Sequence, residues 1–212
     1  MVAGGRDAGT ASRILDVAER LVQVRGFNGF SYADIAAELQ ITKAALHYHF
    51  ATKADLGEAL ISRYAARFAE ALAGIGIECG SASAKLADYA ELYVEVLRNR
   101  KMCLCGMLAA EYQTLPQPMR AAVIGFFDQN EAWLENVLTQ GRSEGSLQFA
   151  GSARDTARMI VGSLEGAMLV ARPYSDITRF QAAVDNLLVS LAPSAGRAEP
   201  TGLDQAFGVA EA

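Results

Sequence analysis

SYADIAAELQITKAALHYHF, residues 31–50, reads as two short helices joined by a tight turn. Ser31 offers a side-chain oxygen at a helix start, and Asp34, three residues on, stands in the capping-box position. Ile35, Ala36 and Leu39 then repeat at helical spacing, and the helix stops near Gln40. Thr42 supplies a second N-cap for KAALHYHF. A helix of barely two turns does not hold itself together in water, so neighbours must pin it through Leu46 and Phe50, four apart. That leaves Lys43, Ala44, His47 and Tyr48 on the outer face. A cation, a small residue, an imidazole and a phenol suit the reading of a DNA groove.

The flanks extend the same unit. Residues 12–25 form a helix with Ile14, Leu15, Ala18, Leu21 and Val22 as its buried stripe, and Gly26 stops it. Phe27 and Phe30 plug a three-helix core. From Lys53 to Gly74 a longer helix carries Leu56, Leu60, Tyr64 and Phe68 at steps of four and links this head to the rest. Residues 1–11, rich in Gly and Ala with the single cation Arg6, are expected to be a mobile arm.

The run ILDVAERLVQVRGFNGFSYADIAAELQITKAALHYHFATKADL, beginning at Ile14, resembles the N-terminal DNA-binding domain of the TetR family of transcriptional repressors. The resemblance rests on the Arg-Gly-Phe ending of the first helix, on Ile-Ala-Ala-Glu-Leu, and on Tyr-His-Phe followed by Thr-Lys. The chain departs from the family pattern at His47, where a tyrosine is usual, and at Ala44, where glycine or proline is usual. The resemblance implies double-stranded DNA as a partner. The DNA-facing set is then Ser31, Tyr32, Thr42, Lys43, Ala44, His47, Tyr48, His49 and Lys53, with Tyr48 and Lys53 on the phosphate backbone and His47 on a base.

Composition permits this without demanding it. The 212 residues are 51% hydrophobic and 20% charged, ordinary for a globular chain long enough to bury a core. The net charge of −5 argues against nucleic acid until the chain is divided. Residues 1–67 hold eight Lys/Arg against seven Asp/Glu, a net of +1, and the remainder holds eleven against seventeen, a net of −6. A near-neutral head binds DNA if its cations share a face. No apolar run reaches the ~18 residues of a membrane span, and MVAGGRDAGTAS lacks a signal-peptide core, so a cytoplasmic protein with no membrane partner is expected.

Beyond a loop expected at Gly74, Gly76 and Gly80, residues 75–192 read as helices with no credible strand, followed by a loose tail over 193–212 in which Leu203, Phe207 and Val209 could dock weakly. The segments run 81–100, 104–114, 118–144, 152–172 and 176–192, so the whole is an all-α chain of about nine helices. Gly162 and Gly166 lie one turn apart, where small residues let another helix approach closely. Phe180, Val184, Leu187, Leu188 and Leu191 form one stripe on the last helix. Both helices are expected to pair with their copies as a four-helix contact in a homodimer, whose two heads would hold a palindromic operator.

Polar groups interrupt the apolar stripes of this second part at Glu111, Asn130 and Glu165. With Tyr89, Tyr93, Met107, Tyr112, Phe127 and Trp133 they outline a cavity for a small-molecule effector, the signal that the family resemblance implies. Asn130 is expected to be a buried amide awaiting a partner. Cys103 and Cys105, at the mouth of a short helix, are candidate sensor thiols, because a helix N-terminus lowers a thiol's pKa. Nothing points to an enzyme, a cofactor or a metal. Gly141-Arg142-Ser143-Glu144-Gly145 spells a hydrolase elbow, but a helix precedes it and no histidine follows His49. Gly74-Ile75-Gly76 completes no phosphate-loop fingerprint. The reading is a ligand-controlled repressor, with a thiol-sensing repressor as its alternative.

Overall fold

The computed structural model describes residues 4–193, and over these the chain is helical. Its elements are α1 (Gly4–Arg25), α2 (Tyr32–Leu39), α3 (Lys43–His49), α4 (Lys53–Glu78), α5 (Ala82–Arg98), α6 (Leu104–Ala110), α7 (Gln117–Ser143), α8 (Ala153–Ala171) and α9 (Ile177–Leu191). Single 3-10 turns at Tyr112–Thr114 and Arg172–Tyr174 follow α6 and α8.

The capping signals fall where the chain starts its helices. Ser31 N donates to Asp34 Oδ2 at 2.7 Å, Thr42 Oγ1 accepts Ala45 N at 3.1 Å, and Thr52 and Asp55 form a reciprocal box at the head of α4. Ser81, Ser152 and Asp176 cap α5, α8 and α9 in the same way. Between α2 and α3 the turn is made by Gln40 in the left-handed region (φ 55°), with its N–H returned to the end of α2.

Two expectations about boundaries are corrected. Residues 4–11, expected as a mobile arm, continue α1, because nothing in GGRDAGTA forbids a helix once the Ile14 stripe anchors it. Helix α4 runs through Gly74 and Gly76 to Glu78, since both glycines face open space and the helix continues around them. The tail expected over 193–212 lies, apart from Pro193, outside the described residues.

The head packs Ile14, Ala18, Leu21 and Val22 of α1 against Phe27, Phe30, Ile35, Leu46 and Phe50. Arg63 of α4 reaches Asp16 at 2.7 Å and Glu19 at 2.9 Å, fastening α4 along α1. The body is built on α7 and α8, with α5 and α9 packed around them and α4 entering from the head. Its centre is aromatic: Tyr64 and Phe68 of α4 meet Tyr89 and Tyr93 of α5 and Phe126 of α7, with ring centroids 5.2–6.3 Å apart.

Helix glycines separate by what surrounds them. A Cβ on Gly141 would stand 2.4 Å from Leu147 Cδ1 and 2.7 Å from Ala82 Cβ, whereas one on Gly74 would meet nothing within 4 Å. Replacing a mid-helix glycine by alanine gains up to ~1 kcal/mol of helix propensity, and overpacking costs ~1–3 kcal/mol. Gly74→Ala should therefore stabilise the fold and Gly141→Ala destabilise it, as read from paired urea denaturation curves.

Candidate nucleic-acid interface and regulatory core

Helix α3 buries Leu46 and presents Thr42, Lys43, Ala44, His47 and Tyr48 to solvent, with Tyr48 76% exposed. His47 Nδ1 lies 3.0 Å from Ala51 O, and its ring packs on Tyr32 at 4.8 Å. A carbonyl only accepts, so Nδ1 carries the proton and a neutral His47 keeps Nε2 as an acceptor. A cleft of about 390 Å3 opens beside it, lined by Ser31, Ala33, Lys43, His47 and Lys53 at the start of α2. His49 is half-buried, with its ring 5.3 Å from Tyr48.

Two members of the expected DNA-facing set do other work. Tyr32 is buried, and its hydroxyl donates to Phe50 O at 2.9 Å and Thr52 O at 2.6 Å, tying α2 to the α3–α4 turn. Lys53 turns inward. Its Nζ donates to the carbonyls of Phe27 and Phe30 and sits 4.6 and 4.2 Å from their ring centroids, and burial lowers its pKa. Helical spacing placed both residues near the surface but could not show which backbone groups wait for them.

Glu111 is likewise corrected. It does not line the groove between α4 and α7, and its Oε2 accepts Phe27 N at 2.5 Å while Oε1 accepts Asn28 N at 3.3 Å. Asn28 Nδ2 adds a 2.7 Å bond to Thr114 Oγ1, Met102 N donates to Gln23 O at 3.2 Å, and Arg172 reaches Val24 O. The segment around α6 is thus sutured to the end of α1 and the turn after it. Sequence reasoning missed this suture, whose partners are 84 and 86 residues apart at Glu111 and Thr114 and 148 apart at Arg172. Tyr112 leaves the expected cavity too, under the Arg120 guanidinium, and Met107 lies 3.3 Å from Arg172.

A groove of about 280 Å3 lies between α4 and α7, lined by Phe68, Leu72, Phe126, Asn130 and Trp133. It brings together Asn130 and Trp133 from the expected set and adds Phe68 and Leu72 from α4. Trp133 stacks on Tyr89 at 5.6 Å, Tyr89 and Tyr93 lie behind the groove, and Phe127 packs on Phe126. Asn130 awaits no partner: its Oδ1 accepts Tyr89 Oη–H at 3.2 Å and its Nδ2 donates to Phe126 O at 2.8 Å. The orphan is Glu165. Its Oε1 is enclosed without a hydrogen-bond partner, and burial pushes its pKa up from 4.5 to about 7, opposed by a hydrogen bond from Cys103.

The sensor-thiol expectation meets the opposite physics. Cys103 does cap α6 and accepts Gly106 N at 3.5 Å, which lowers its pKa. Complete burial and the neighbouring Glu165 outweigh that contact and push the thiol well up, and Cys105 shifts the same way. Neither is poised as a thiolate.

The expected dimer stripe divides. Phe180, Val184 and Leu191 are buried in their own subunit, and Leu187 and Leu188 are half-buried. Gly162 and Gly166 face open space, on a face of α8 that also exposes Met159, Leu169 and Val170, and Val189 stands exposed on α9. The large residues of the α9 stripe fill the core; the small ones and their exposed neighbours remain outside.

A helix-turn-helix head with an open second helix, carried on a helical body, defines a DNA-binding transcriptional regulator. Residues 14–60 match the family model described as bacterial regulatory proteins, tetR family, and residues 82–187 match the tetracyclin repressor-like C-terminal domain. The chain belongs to the TetR family. It is 30% identical to a TetR-family regulator from Agrobacterium tumefaciens, with a TM-score of 0.86 over 88% of this chain and 99% of that one. A TetR regulator from Legionella pneumophila is 34% identical, with a TM-score of 0.79 over 86% and 97%. The Escherichia coli transcriptional repressor NemR is 24% identical over 85% of this chain and 94% of its own.

The Glu165 shift makes stability depend on pH. A carboxyl held above its ordinary value keeps its proton in the fold, so folding is unpenalised below pH 4.5. It becomes costlier as pH rises toward 7 and stays so above. The full shift corresponds to about 3 kcal/mol. Glu165→Gln, which cannot ionise, should gain stability over the wild type between pH 4 and pH 8 by up to that amount. Denaturation at the two pH values checks this, and an equal difference at both would refute it.

Proposed function

We propose that this chain is a homodimeric repressor that holds a palindromic operator through its two α3 helices and releases it when a small molecule enters the body. The observation that carries the reading is the open α3 face: a lysine, a small residue, an imidazole and a phenol, with their backbone capped and their helix pinned from behind. The exposed apolar residues of α8, flanking Gly162 and Gly166, supply a surface that a second copy would cover. The relative NemR, whose name makes it a repressor, supports the direction of control.

Release follows from the suture. Effector binding between α4 and α7 displaces the aromatic cluster against which α6 lies, and α6 holds the end of α1 through Glu111. Such a ligand acts only by preferring one arrangement of the heads over the other.

On the operator recovered by selection from random duplexes, Lys43→Ala should weaken binding and reduce the slope of affinity against salt by about one phosphate contact if Lys43 meets the backbone. If it meets a guanine edge, the slope holds and base preference relaxes. His47→Tyr should alter preference at one base pair, because Nε2 as acceptor favours an amino group of cytosine or adenine, and a lost base contact is worth about 1–3 kcal/mol. An equal loss on every operator variant would remove His47 from base reading.

Val170→Glu places a charge on the exposed α8 face. Sedimentation should show monomers, and binding to the full palindromic operator should fall by orders of magnitude because one head alone is left on the DNA. A variant that stays dimeric would move the contact elsewhere.

A further inference from the structure

We propose that Glu165 is the anchor of the effector and that the effector is a small organic amine, its cation held by the carboxylate and its apolar body by the aromatic cluster. The inference rests on the reading of the body as an effector domain and names the chemistry that domain would take.

Among the described residues, Gln23 Oε1 and Arg63 Nε are also buried without a partner, but both belong to the head, where α4 runs along α1. In the body the buried polar groups other than Glu165 are paired. Asn130 is bonded to Tyr89 and Phe126, and Thr156 donates to Ser152 O at 3.0 Å. Glu165 alone carries charge into this part of the body with Oε1 unpartnered. The fold makes room for it: a Cβ on Gly106 would stand 2.2 Å from Oε2, so α6 has a glycine where α8 sends a carboxylate. A buried acid without a cation weakens a fold, and a leucine or glutamine would serve stability better. Groups kept at such a cost are candidates for binding.

What faces Glu165 indicates the missing partner. The titratable neighbours are Cys103 and Cys105 on α6, Tyr64 on α4, and Tyr89 and Tyr93 on α5. Burial holds all five protonated, so none can neutralise the carboxylate, and burial and the Cys103 hydrogen bond are what set its state. These neighbours hold no cation, so a cationic partner for the ionised carboxylate would arrive with a ligand. The faces of Tyr64, Tyr93, Phe68 and Phe126 form one connected wall, and aromatic faces attract a desolvated cation. Phe68 and Phe126 also line the 280 Å3 groove, so the aromatic wall that borders the groove continues to Tyr64 and Tyr93, the neighbours of Glu165. That volume sits near the lower limit for ligand pockets, which keeps the molecule small. A bound amine would draw Glu165 off Gly106 and shift α6, the helix that ends at Glu111.

Trp133, the sole tryptophan of the chain, stacks on Tyr89 and reports on this site by fluorescence. The probes are benzylamine, benzyl alcohol and benzoate, titrated into the full chain and into Glu165→Gln at pH 8 and pH 6. Benzylamine should give a saturable change at pH 8, at least tenfold tighter than benzyl alcohol, with no response to benzoate. Its affinity should drop several-fold at pH 6, where a proton must first leave Glu165. Glu165→Gln should erase the preference for the amine and leave the alcohol unchanged. Equal binding of amine and alcohol, preference retained in Glu165→Gln, or no response to the amine each overturns the proposal. If Glu165→Gln does not fold, wild-type selectivity and its pH dependence decide alone. The effector reading is tested apart from this: it fails only if no compound of a chemically broad panel alters operator binding.

Discussion

The Glu111 carboxylate, set under the turn that follows α1, is the contact on which the relation of head to body depends. Gly26 adopts φ +82°, and this left-handed residue turns the N–H groups of Phe27 and Asn28 toward the carboxylate. A Cβ there would stand 2.7 Å from Oε1, so the turn needs glycine for its conformation and for space. Lys53 holds the carbonyl side of the same turn, donating to Phe27 O and Phe30 O. Acid on the amides and base on the carbonyls fix six residues that have no regular structure of their own. Charge-assisted bonds contribute roughly 1.5–3 kcal/mol each, against about 1 kcal/mol for neutral ones. These contacts add direction to an apolar core that runs without a break from head to body.

Helix α6 makes those contacts adjustable. Seven residues cannot hold a helix in isolation, so its position is set by what it packs against, with Leu104, Cys105 and Leu108 fully buried. One end abuts Glu165 and Met168 of α8, the latter through Cys103 N at 3.2 Å from Met168 Sδ. The other ends in Glu111. The same placement explains why a helix N-terminus does not activate Cys103. One backbone N–H lowers its pKa, but enclosure by α4, α5 and α8 and a nearby acid raise it by more. Desolvation outweighs the dipole wherever the site is dry.

Much of this was legible in the chain. The caps Ser31, Thr42, Ser81 and Ser152 mark helix starts because capping is local: donor and acceptor lie within four residues. Apolar periodicity identified the faces of α1, α3 and α4 for the same reason. What periodicity cannot carry is the identity of the covering surface. Phe180 and Val184 read equally well as interface or core, and the monomer takes them as core. Lys53 and Tyr32 look like DNA-facing surface residues by type and spacing, and Glu111 like a polar break in an apolar stripe. Each is turned by an unpaired backbone group elsewhere in the chain, and sequence does not disclose where those groups lie. Asn130 and Glu165 were equivalent as polar interruptions of apolar stripes; only the hydroxyl of Tyr89, four residues before Tyr93 and within reach across the core, distinguishes the satisfied one from the other.

The scale of regulation matches this construction. Coupling between two sites in a protein is typically about 1–3 kcal/mol, the value of one charge-assisted hydrogen bond. A regulator whose head is held by several such bonds at the Gly26 turn need not lose its fold to lose its operator. It need only exchange one of them for a contact made in the other state. The cost of burying Glu165 is of similar size, about 3 kcal/mol at neutral pH. A ligand that relieves that cost gains up to the same amount in binding free energy, which is the size of a typical coupling between sites.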